Sequence, residues 1–275
     1  MRIVAIFVGL SLIVSLFVGN ASAQSQPTEN SYLGFDSNYY PGDANLKTLR
    51  ETFAYTGYWL SPPPDAKNNT WVGHRAAVES AGFGFLVLFN GRLFKELRTL
   101  ARANALGKSD AQAAVAAAKR EGFPPGTIIF LDQEQGGRML PAQKAYIYSW
   151  IDGVKAGSFG VGIYCSGMAA MDDGGVISAE DIRKNAGGRK ISYWVTNDAC
   201  PPSPGCAFPQ KPPSPADSGI VFAEVWQFAQ SPKRPEVAAG CPKNYDRDGS
   251  CYVPGVKSFK VDVNAASSGD PSRGR

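Results

Sequence analysis

The sequence has 275 residues but only one histidine, His74. This scarcity excludes zinc sites built from several histidines and hydrolases that place two histidines in one site. A Ser-His-Asp triad would have to use His74, and the sequence contains neither a G-x-S-x-G nucleophile motif nor a P-loop. Carboxylates are therefore the expected acid–base groups if the protein is an enzyme, and we expect no cofactor and no metal ion. We predict that His74 lies at the surface or behind the site.

A strong charge of either sign is also lacking. The formal net charge is +4, only 19% of the residues are charged, and the basic residues are not concentrated in a stripe, so we expect no nucleic-acid partner. The hydrophobic share of 44% is too high for a disordered protein. The length fits one large α/β domain or two small ones.

The sequence has one long hydrophobic run, which lies near the N-terminus. Residues 1–23 begin with a basic residue, Arg2, continue as an apolar run to about residue 18, and end in an Ala-x-Ala sequence at Ala23. This order is typical of a secretory signal peptide, and we predict cleavage after Ala23 and a secreted or periplasmic protein. An uncleaved anchor is the alternative, although the run is short for a membrane span of about 20 residues.

The remaining chain is predicted to form one domain. A polar leader covers residues 24–30, the domain covers 31–268, and a loose polar tail covers 269–275. No second long apolar run follows the signal peptide. We therefore expect no membrane span after signal removal, and we expect a monomer.

Four of the five cysteines lie in loop-like segments that are rich in proline and glycine. Cys200 and Cys206 are one close pair, and Cys241 and Cys251 are another, so each pair is predicted to close its own loop with a disulfide. Four cysteines allow three connectivities, and local pairing is a preference among them. Metal binding is the competing interpretation, but no histidine lies nearby. Cys165 lies in an apolar stretch and is predicted to be a buried free thiol.

Strand-like and helix-like segments alternate along the domain. This order predicts an α/β fold, a (β/α)₈ barrel of the TIM type that is somewhat irregular in its second half. The predicted strands cover residues 32–36, 57–61, 84–89, 127–134, 159–165, 190–196, 223–228 and 259–264. The predicted helices cover residues 46–53, 73–80, 109–121, 141–156 and 178–186. An open doubly wound sheet is the alternative, but the loop at 36–42 lacks the glycine-rich phosphate motif expected after its first strand.

Four acidic residues lie at or near predicted strand ends. Asp36 ends the first strand, Asp132 and Glu134 end the fourth, and Asp262 lies in the eighth. Because the carboxyl ends of barrel strands meet at one mouth, we predict that these four residues form one catalytic site. The alternative is that such acids only cap helices or accept hydrogen bonds from backbone N–H groups.

Asp132 and Glu134 are two residues apart, so they would point to the same face of a strand with Cα atoms about 6.5 Å apart. Two acids in a partly dry site cannot both ionise freely, and one pKa should rise. We predict that Glu134, nearer the mouth, is the proton donor and that Asp132 stays ionised. A divalent-metal site at the same carboxylates is a further hypothesis.

Aromatic and amide residues near the strand ends suggest sugar binding, because sugar rings stack on aromatic planes and amides hydrogen bond to hydroxyl groups. The candidate substrate-binding residues are Tyr164, Trp226, Gln227, Tyr39 and Asn197. The alternative is that strand aromatics belong to the core, which is the interpretation we favour for Trp194 and Phe228.

Five short motifs carry a family resemblance. They are YLGFD at residues 32–36, IFLDQE at 129–134, GIY at 162–164, VWQ at 225–227 and VDVN at 261–264. Their order resembles the strand ends of family-25 lysozymes, which are secreted muramidases with an irregular β/α barrel. More closely, residues 31–269 resemble the bacterial exported glycoside-hydrolase-like domain family, of the mycobacterial twin-arginine-exported type.

This resemblance implies cleavage of the β-1,4 bond in peptidoglycan or a related amino-sugar polymer, with a cell-wall glycan or other polysaccharide as partner. Glu134 would be the general acid, and Asp132 would position the N-acetyl group of the substrate. Asp36 and Asp262 would hold the network. A carboxylate nucleophile and direct attack by water are alternatives, and a barrel that binds wall glycan without cleaving it is the alternative function. The glutamines beside the acids and the cysteine-paired loops depart from the muramidase pattern.

Overall fold

A computed structural model describes residues 30–200, 203–238, 241 and 244–275. The predicted signal peptide, its cleavage site and residues 24–29 of the predicted leader lie outside the described residues.

Eight strands close into a barrel and follow one another around it in the order of the chain. Most of them are apolar runs that bury nearly every side chain, as expected for a sheet covered on both faces. The strands are β1 (Tyr32–Asp36), β2 (Tyr55–Trp59), β3 (Gly84–Asn90), β4 (Ile128–Asp132), β5 (Gly160–Ser166), β6 (Ser192–Thr196), β7 (Val225–Ala229) and β8 (Lys260–Ala266). The predicted TIM-type barrel is confirmed.

The last strand, β8, runs antiparallel to both of its neighbours, β1 and β7, whereas the other neighbouring strands pair in parallel. A parallel β8 would need a crossover from one end of the barrel to the other. The connection instead stays at the end where β7 finishes, and its short strand Cys251–Tyr252 pairs with the beginning of β8. The start of β8, including Asp262, therefore lies at the same end of the barrel as the carboxyl ends of β1 to β7.

Helices follow the strands regularly in the first half of the chain and sparsely in the second. They are α1 (Asp43–Arg50), α2 (Arg75–Ser80), α3 (Phe94–Leu97), α4 (Leu100–Glu121), α5 (Pro141–Ala156), α6 (Ser178–Lys184) and α7 (Pro235–Ala238). Between β6 and β7, the residues that the structure describes form one 3₁₀ turn, Pro215–Ser218. Among the described residues, no helix combines the length and the apolar character needed to cross a membrane.

Helix α4 begins earlier than its sequence pattern predicts. The hydroxyl of Thr99 accepts a hydrogen bond from the backbone N–H of Arg102 at 3.2 Å, so Thr99 caps the first turn. The helix ends where predicted, at Gly122, whose φ of 81° suits a residue without a side chain. This long helix packs along α5 on the outside of the barrel.

Glycines allow two close contacts between the strands and core aromatic rings. A Cβ atom on Gly34 would lie 2.2 Å from the ring of Tyr55, and one on Gly162 would lie 2.4 Å from the ring of Phe130. Both rings are buried. Any larger residue at either position would therefore displace a core side chain.

The last residues of the chain are not a loose tail, contrary to the prediction for 269–275. Ser272 is buried; its N–H donates to the carbonyl of Phe85 at 2.8 Å, and its carbonyl accepts from the N–H of Ile128 at 2.7 Å. The Asp270 carboxylate accepts a further hydrogen bond from the N–H of Phe85 at 2.8 Å. The starts of β3 and β4 do not pair with each other here, so the polar tail supplies the missing partners of their backbones.

All four loop cysteines form disulfides, but the predicted local pairing is wrong. The bonds are Cys200–Cys241 and Cys206–Cys251, with sequence separations of 41 and 45 residues. Because β6 and β7 are neighbours, the loop after β6 lies beside the segment after β7, and each cysteine of one meets a cysteine of the other. Cys165 is buried and free, as predicted.

Candidate active site

Four carboxyl groups line one cavity of about 120 Å³ at the mouth of the barrel. Asp36 and Asp132 are the last residues of β1 and β4, and Glu134 follows in the loop after β4. Asp262 comes from the reversed strand β8, where it is the register partner of Asp36. Residues separated by up to 226 positions in the chain therefore meet in one small volume, as the sequence predicts for these four acids.

Asp36 lies at the centre of an amide network. The Nε2 of Gln227 donates to both carboxylate oxygens of Asp36, at 3.0 and 3.1 Å, and to Oδ2 of Asp262 at 3.2 Å. The Nδ2 of Asn264 donates to Oδ1 of Asp36 at 3.0 Å. Gln227 thus joins two carboxyl groups from neighbouring strands.

Two aromatic residues fix the orientation of these amides. The hydroxyl of Tyr164 donates to Oε1 of Gln227 at 2.7 Å, and the indole Nε1 of Trp194 donates to Oδ1 of Asn264 at 2.9 Å. Each bond occupies the amide oxygen, so the NH₂ group of each amide must face the carboxylates. Trp194 is a core residue, as we favoured, but it also lines the cavity.

Burial dominates the protonation of Asp36 and Asp262. It raises the pKa of Asp36 to about 7, although hydrogen bonds from Asn264 and Gln227 oppose the shift. It raises the pKa of Asp262 well above its usual range, assisted by the charge of Asp36 and opposed by a 2.6 Å hydrogen bond from the backbone N–H of Ser231. At neutral pH the two residues therefore carry less than two full negative charges.

Asp132 and Glu134 form the second carboxyl pair of the site. Asp132 is only 3% exposed, whereas Glu134 is exposed at the mouth. The two side chains are within hydrogen-bonding reach of each other, and among the described residues Oδ1 of Asp132 has no hydrogen-bond partner. Strand β4 ends at Asp132, earlier than predicted, so Glu134 belongs to the loop and reaches the open groove.

Burial raises the pKa of Asp132 well above its usual range, and the charges of Glu134 and Asp36 add to the shift. The partly enclosed position of Glu134 also raises its pKa, while the hydrogen bond from Asp132 and the charge of Arg234 oppose this. Both pKa values are raised, so the pair favours keeping a proton over full ionisation of both carboxyl groups. The burial of Asp132 acts against the expectation that Asp132 stays ionised.

Two larger pockets share lining residues with this cavity. A pocket of about 380 Å³ shares Asp132 and Glu134 with it and also contains Asp65. A pocket of about 280 Å³ shares Asp262 with it and also contains Tyr39 and Asp65. We call the three together the groove, and a ligand in the cavity and the first of these pockets would meet the exposed carboxyl group of Glu134.

Comparison with protein-family models identifies the family of this chain. Residues 54–205 match the model of the Rv2525c-like, glycoside hydrolase-like domain. The chain belongs to this family. A search of curated proteins finds no significant match.

Solved structures resemble this glycoside hydrolase-like chain over most of its length. An uncharacterized protein of B. stearothermophilus is 22% identical, with a TM-score of 0.55, and 86% of this chain aligns with 95% of that one. The Tat-secreted protein Rv2525c of Mycobacterium tuberculosis, in complex with L-tartrate, is 12% identical, with a TM-score of 0.50 and the same coverage. The modular autolysin LytC of Streptococcus pneumoniae, in complex with a synthetic peptidoglycan ligand, is 13% identical, with a TM-score of 0.50; 86% of this chain aligns with 47% of LytC. At these identities the likeness establishes a shared fold.

Two of the predicted substrate-binding residues lie outside the mouth of the glycoside hydrolase-like barrel. Trp226 is fully buried, and its indole N–H donates to the carbonyl of Asn197 at 2.7 Å. The Nδ2 of Asn197 donates to the carbonyl of Ser218 at 2.7 Å, which holds the loop after β6. Trp226 precedes Gln227 on β7, and because successive strand residues face opposite sides, both cannot point into the barrel.

The other predicted substrate-binding residues do line the mouth. Tyr39 is 57% exposed in the outer pocket, where its ring is free to contact a ligand. Tyr164 and Gln227 line the cavity, but their hydrogen bonds to each other and to the acids suit them to orient the site. The one histidine, His74, stacks on Tyr40 beside Asp43, as a surface residue away from the described pockets.

Several residues of the site give no signal in the sequence. Asp65 lies in a proline-rich loop with a φ of 59°, where no strand or helix period identifies it. Arg234 forms an ion pair with the fully buried Asp198, and this pair joins the two disulfide-linked loops. Of these three missed parts of the site, Asn264 is the one within a motif named above, VDVN at residues 261–264, two residues after Asp262.

The hypothesis of a metal site finds no support in the described residues. Among them, no group of three or more histidine, cysteine, aspartate or glutamate side chains has an arrangement that could hold a metal ion. The amides of Gln227 and Asn264 turn their N–H groups toward Asp36, and a donor facing a carboxylate occupies a direction from which a cation would approach.

Proposed function

We propose that this protein is a secreted glycoside hydrolase that cleaves the β-1,4 bond of peptidoglycan or a related amino-sugar glycan. The observation that carries the proposal is the Asp132–Glu134 pair, two carboxyl groups with raised pKa values that line both the cavity and the 380 Å³ pocket at the mouth. A carboxylic acid that keeps its proton near neutral pH is what protonation of a glycosidic oxygen requires.

In this proposal Glu134 is the general acid because it is the exposed member of the pair. The raised pKa of Glu134 favours its protonated form, and Asp132 accepts a hydrogen bond from the N–H of a substrate acetamido group. Glu134 transfers its proton to the glycosidic oxygen as the C1–O bond breaks. The acetamido oxygen bonds to C1, and water later opens this intermediate while returning its proton to Glu134.

Asp36 and Asp262 have a positioning role in the proposal. They bind Gln227 from two sides, and Gln227 in turn accepts from Tyr164, whose backbone carbonyl accepts a hydrogen bond from the N–H of Gln133 at 3.0 Å. Because Gln133 lies between the two acids of the pair, this chain of contacts fixes the segment that carries them.

Peptidoglycan is the first substrate to test. LytC, which shares the fold, was solved with a synthetic peptidoglycan ligand, and family membership supports a glycan substrate. The groove over Glu134, with an exposed tyrosine at one end, suits an extended chain of sugar rings. We further propose that the protein acts as a monomer, which light scattering after size-exclusion chromatography would test.

Secretion is part of the same proposal. The two disulfides suit an oxidising compartment, and the residues before the barrel have the order of a signal peptide. Mass spectrometry of protein recovered from the culture medium or periplasm should find a chain that begins at Gln24. A chain that keeps residues 1–23 and stays with the membrane would contradict cleavage.

The activity is tested with insoluble peptidoglycan and the chain beginning at Gln24. Wild type should release soluble fragments and new reducing ends, and Glu134→Gln should lose at least about 100-fold of this rate, since general acid catalysis contributes about 10²- to 10⁴-fold. Glu180→Gln, an exposed residue of α6, is the matched control and should keep full activity. No reducing ends above background, with an active lysozyme run alongside, would count against the proposal.

Glycan binding without cleavage is the second candidate function. The observation that favours it is the exposed ring of Tyr39 in the outer pocket, because stacking of a sugar on this ring requires no proton transfer. In that case wild type would bind insoluble peptidoglycan without releasing reducing ends, and its affinity would survive Glu134→Gln.

A further inference from the structure

A second cavity, of about 730 Å³, lies at the opposite end of the barrel from the four acids. Its wall includes Ile128, Gly160 and Ser192, which are the first residues of β4, β5 and β6. Because these strands are parallel, their starts face away from the mouth where Asp132 lies. The cavity is therefore separate from the groove of the proposed active site.

Four basic side chains line this cavity: Arg183, Arg189, Lys190 and Arg273. Arg189 is neutralised by Asp152, with two hydrogen bonds of 2.8 Å. Within the described part of the chain, the other three have no carboxylate within 4 Å. Glu224 is the one acid among the described residues of the wall, and it accepts from the hydroxyl of Ser192 at 3.1 Å.

The surroundings restrain the side chain of Arg183 and the backbone beside Arg273. The guanidinium carbon of Arg183 lies 4.1 Å from the centre of the Phe222 ring, a distance typical of a cation–π contact. Arg273 follows Ser272, whose backbone is bonded to Phe85 and Ile128, so the tail of the chain brings this cation to the rim of the cavity. The three cations thus come to the cavity from three parts of the chain: helix α6, the segment before β6 and the C-terminal tail.

The three unpaired cations are exposed at this one opening. Like charges around one concavity repel each other, and the concave wall concentrates their field, which favours binding of an anion. Here three cations share one opening that has a single carboxylate at its wall.

We propose that this basic cavity, formed by Arg183, Lys190 and Arg273, is a binding site for a phosphate group. A phosphate has several acceptor oxygens and up to two negative charges, which matches donors that approach from separate directions. Arginine is suited to such oxyanions because of its planar fork of N–H groups. The group could belong to a soluble phosphate polymer or to a phospholipid headgroup, since both offer the same chemistry.

Titration calorimetry with inorganic tripolyphosphate at low salt tests the site directly. Wild type should bind, and Arg183→Gln combined with Lys190→Gln should weaken binding at least tenfold, with Arg273→Gln alone giving a smaller loss. Lys257→Gln is the matched control, because Lys257 is an exposed cation near the start of β8 at the other end of the barrel. Thermal unfolding of each variant shows whether it is folded.

Three outcomes decide the proposal. Selective loss of tripolyphosphate binding in the double variant supports the proposal. Vesicles of phosphatidylglycerol then separate the two sources of the phosphate group. Cosedimentation of the protein with the vesicles that tripolyphosphate abolishes points to a lipid headgroup, and no cosedimentation points to a soluble polymer. No binding of tripolyphosphate by folded wild type would overturn the proposal. Equal weakening by Lys257→Gln would also overturn it, because binding would then follow net charge. Peptidoglycan cleavage is not measured in any of these arms, so failure here leaves the proposed function untouched.

Discussion

Asp36 and Asp262 face each other across the antiparallel pair β1–β8, and the Nε2 of Gln227 donates to both carboxyl groups at once. Two acids that share one donor in a buried position cannot both be fully ionised without a large electrostatic cost. The reversed strand is what makes this contact possible, because it brings the beginning of β8 to the carboxyl end of β1. The geometry of the last strand thus determines the charge of the site.

Stability should fall as the pH rises through the range in which Asp36 titrates. The pKa of Asp36 is raised from a usual value of 3.8 to about 7, so the folded state holds this proton more tightly than the unfolded chain does. The stabilisation is fully present below pH 3.8 and is lost as the pH rises toward 7, by up to about 4 kcal/mol for this group alone.

Thermal unfolding between pH 4 and 8 checks this prediction, with Asp36→Asn as the comparison. The variant cannot titrate at this position, so its Tm should depend less on pH than that of wild type, whatever its absolute stability. Parallel Tm profiles for the two proteins would show that Asp36 is not the group responsible.

Replacing Arg234 should destabilise the protein and change the acidity of Glu134. The Arg234→Met variant leaves the fully buried Asp198 without its cation, which should cost about 3 kcal/mol. Because the charge of Arg234 lowers the pKa of Glu134, its removal should raise that pKa. Denaturant unfolding measures the first effect and carboxyl NMR the second, with exposed Arg247→Met as the control. A free energy of unfolding and a Glu134 titration equal to those of the control would contradict both.

The disulfide pairing predicts an unequal response to two double variants. Cys200→Ser with Cys241→Ser removes one bond and keeps the other, whereas Cys200→Ser with Cys206→Ser removes both. A bond that closes a loop of this length contributes about 4 kcal/mol, so the second variant should unfold at a clearly lower temperature.

Thiol titration in denaturant gives an independent check of this pairing. The first double variant should present one thiol, from Cys165, and the second should present three, from Cys165, Cys241 and Cys251. Three thiols in the first double variant would mean that the bonds pair differently.

The sequence predicts the barrel well because strand periodicity and helix signals are local. Asp36, Asp132 and Glu134 follow from the rule that parallel strands end at one mouth. Asp262 lies near the start of β8, and in a parallel strand that position would be at the opposite end of the barrel. It reaches the mouth because β8 is antiparallel, which the rule for parallel strands does not predict.

The remaining parts of the site depend on contacts that no local pattern encodes. The disulfides and the Asp198–Arg234 pair depend on which loops lie side by side, and Asp65 lies in a loop without a period. The alternation of side chains along β7 places Trp226 and Gln227 on opposite faces of the strand. The sequence pattern therefore does indicate that only one of the two can face the site. The raised pKa of Asp132 depends on burial depth, which appears only once the chain is folded.

Removing the last six residues should destabilise the barrel. Without Asp270 and Ser272, the N–H groups of Phe85 and Ile128 lose their partners, and each buried unsatisfied group costs about 1–3 kcal/mol. The measurement is the free energy of unfolding of a chain that ends at Gly269, with Asp270→Asn as the milder variant. An unchanged free energy of unfolding would mean that the tail does not stabilise the starts of β3 and β4.

The most direct test of the central claim is to identify the bond that is cut. Peptidoglycan treated with wild type, Glu134→Gln or Glu180→Gln is reduced with borohydride, and the soluble fragments are analysed by mass spectrometry. Wild type and Glu180→Gln should release fragments whose reduced end is the muramic acid residue, and Glu134→Gln should release at least about 100-fold less. Intact glycan chains after treatment with wild type, or equal release by Glu134→Gln, would contradict the claim that the Asp132–Glu134 pair cleaves the glycan.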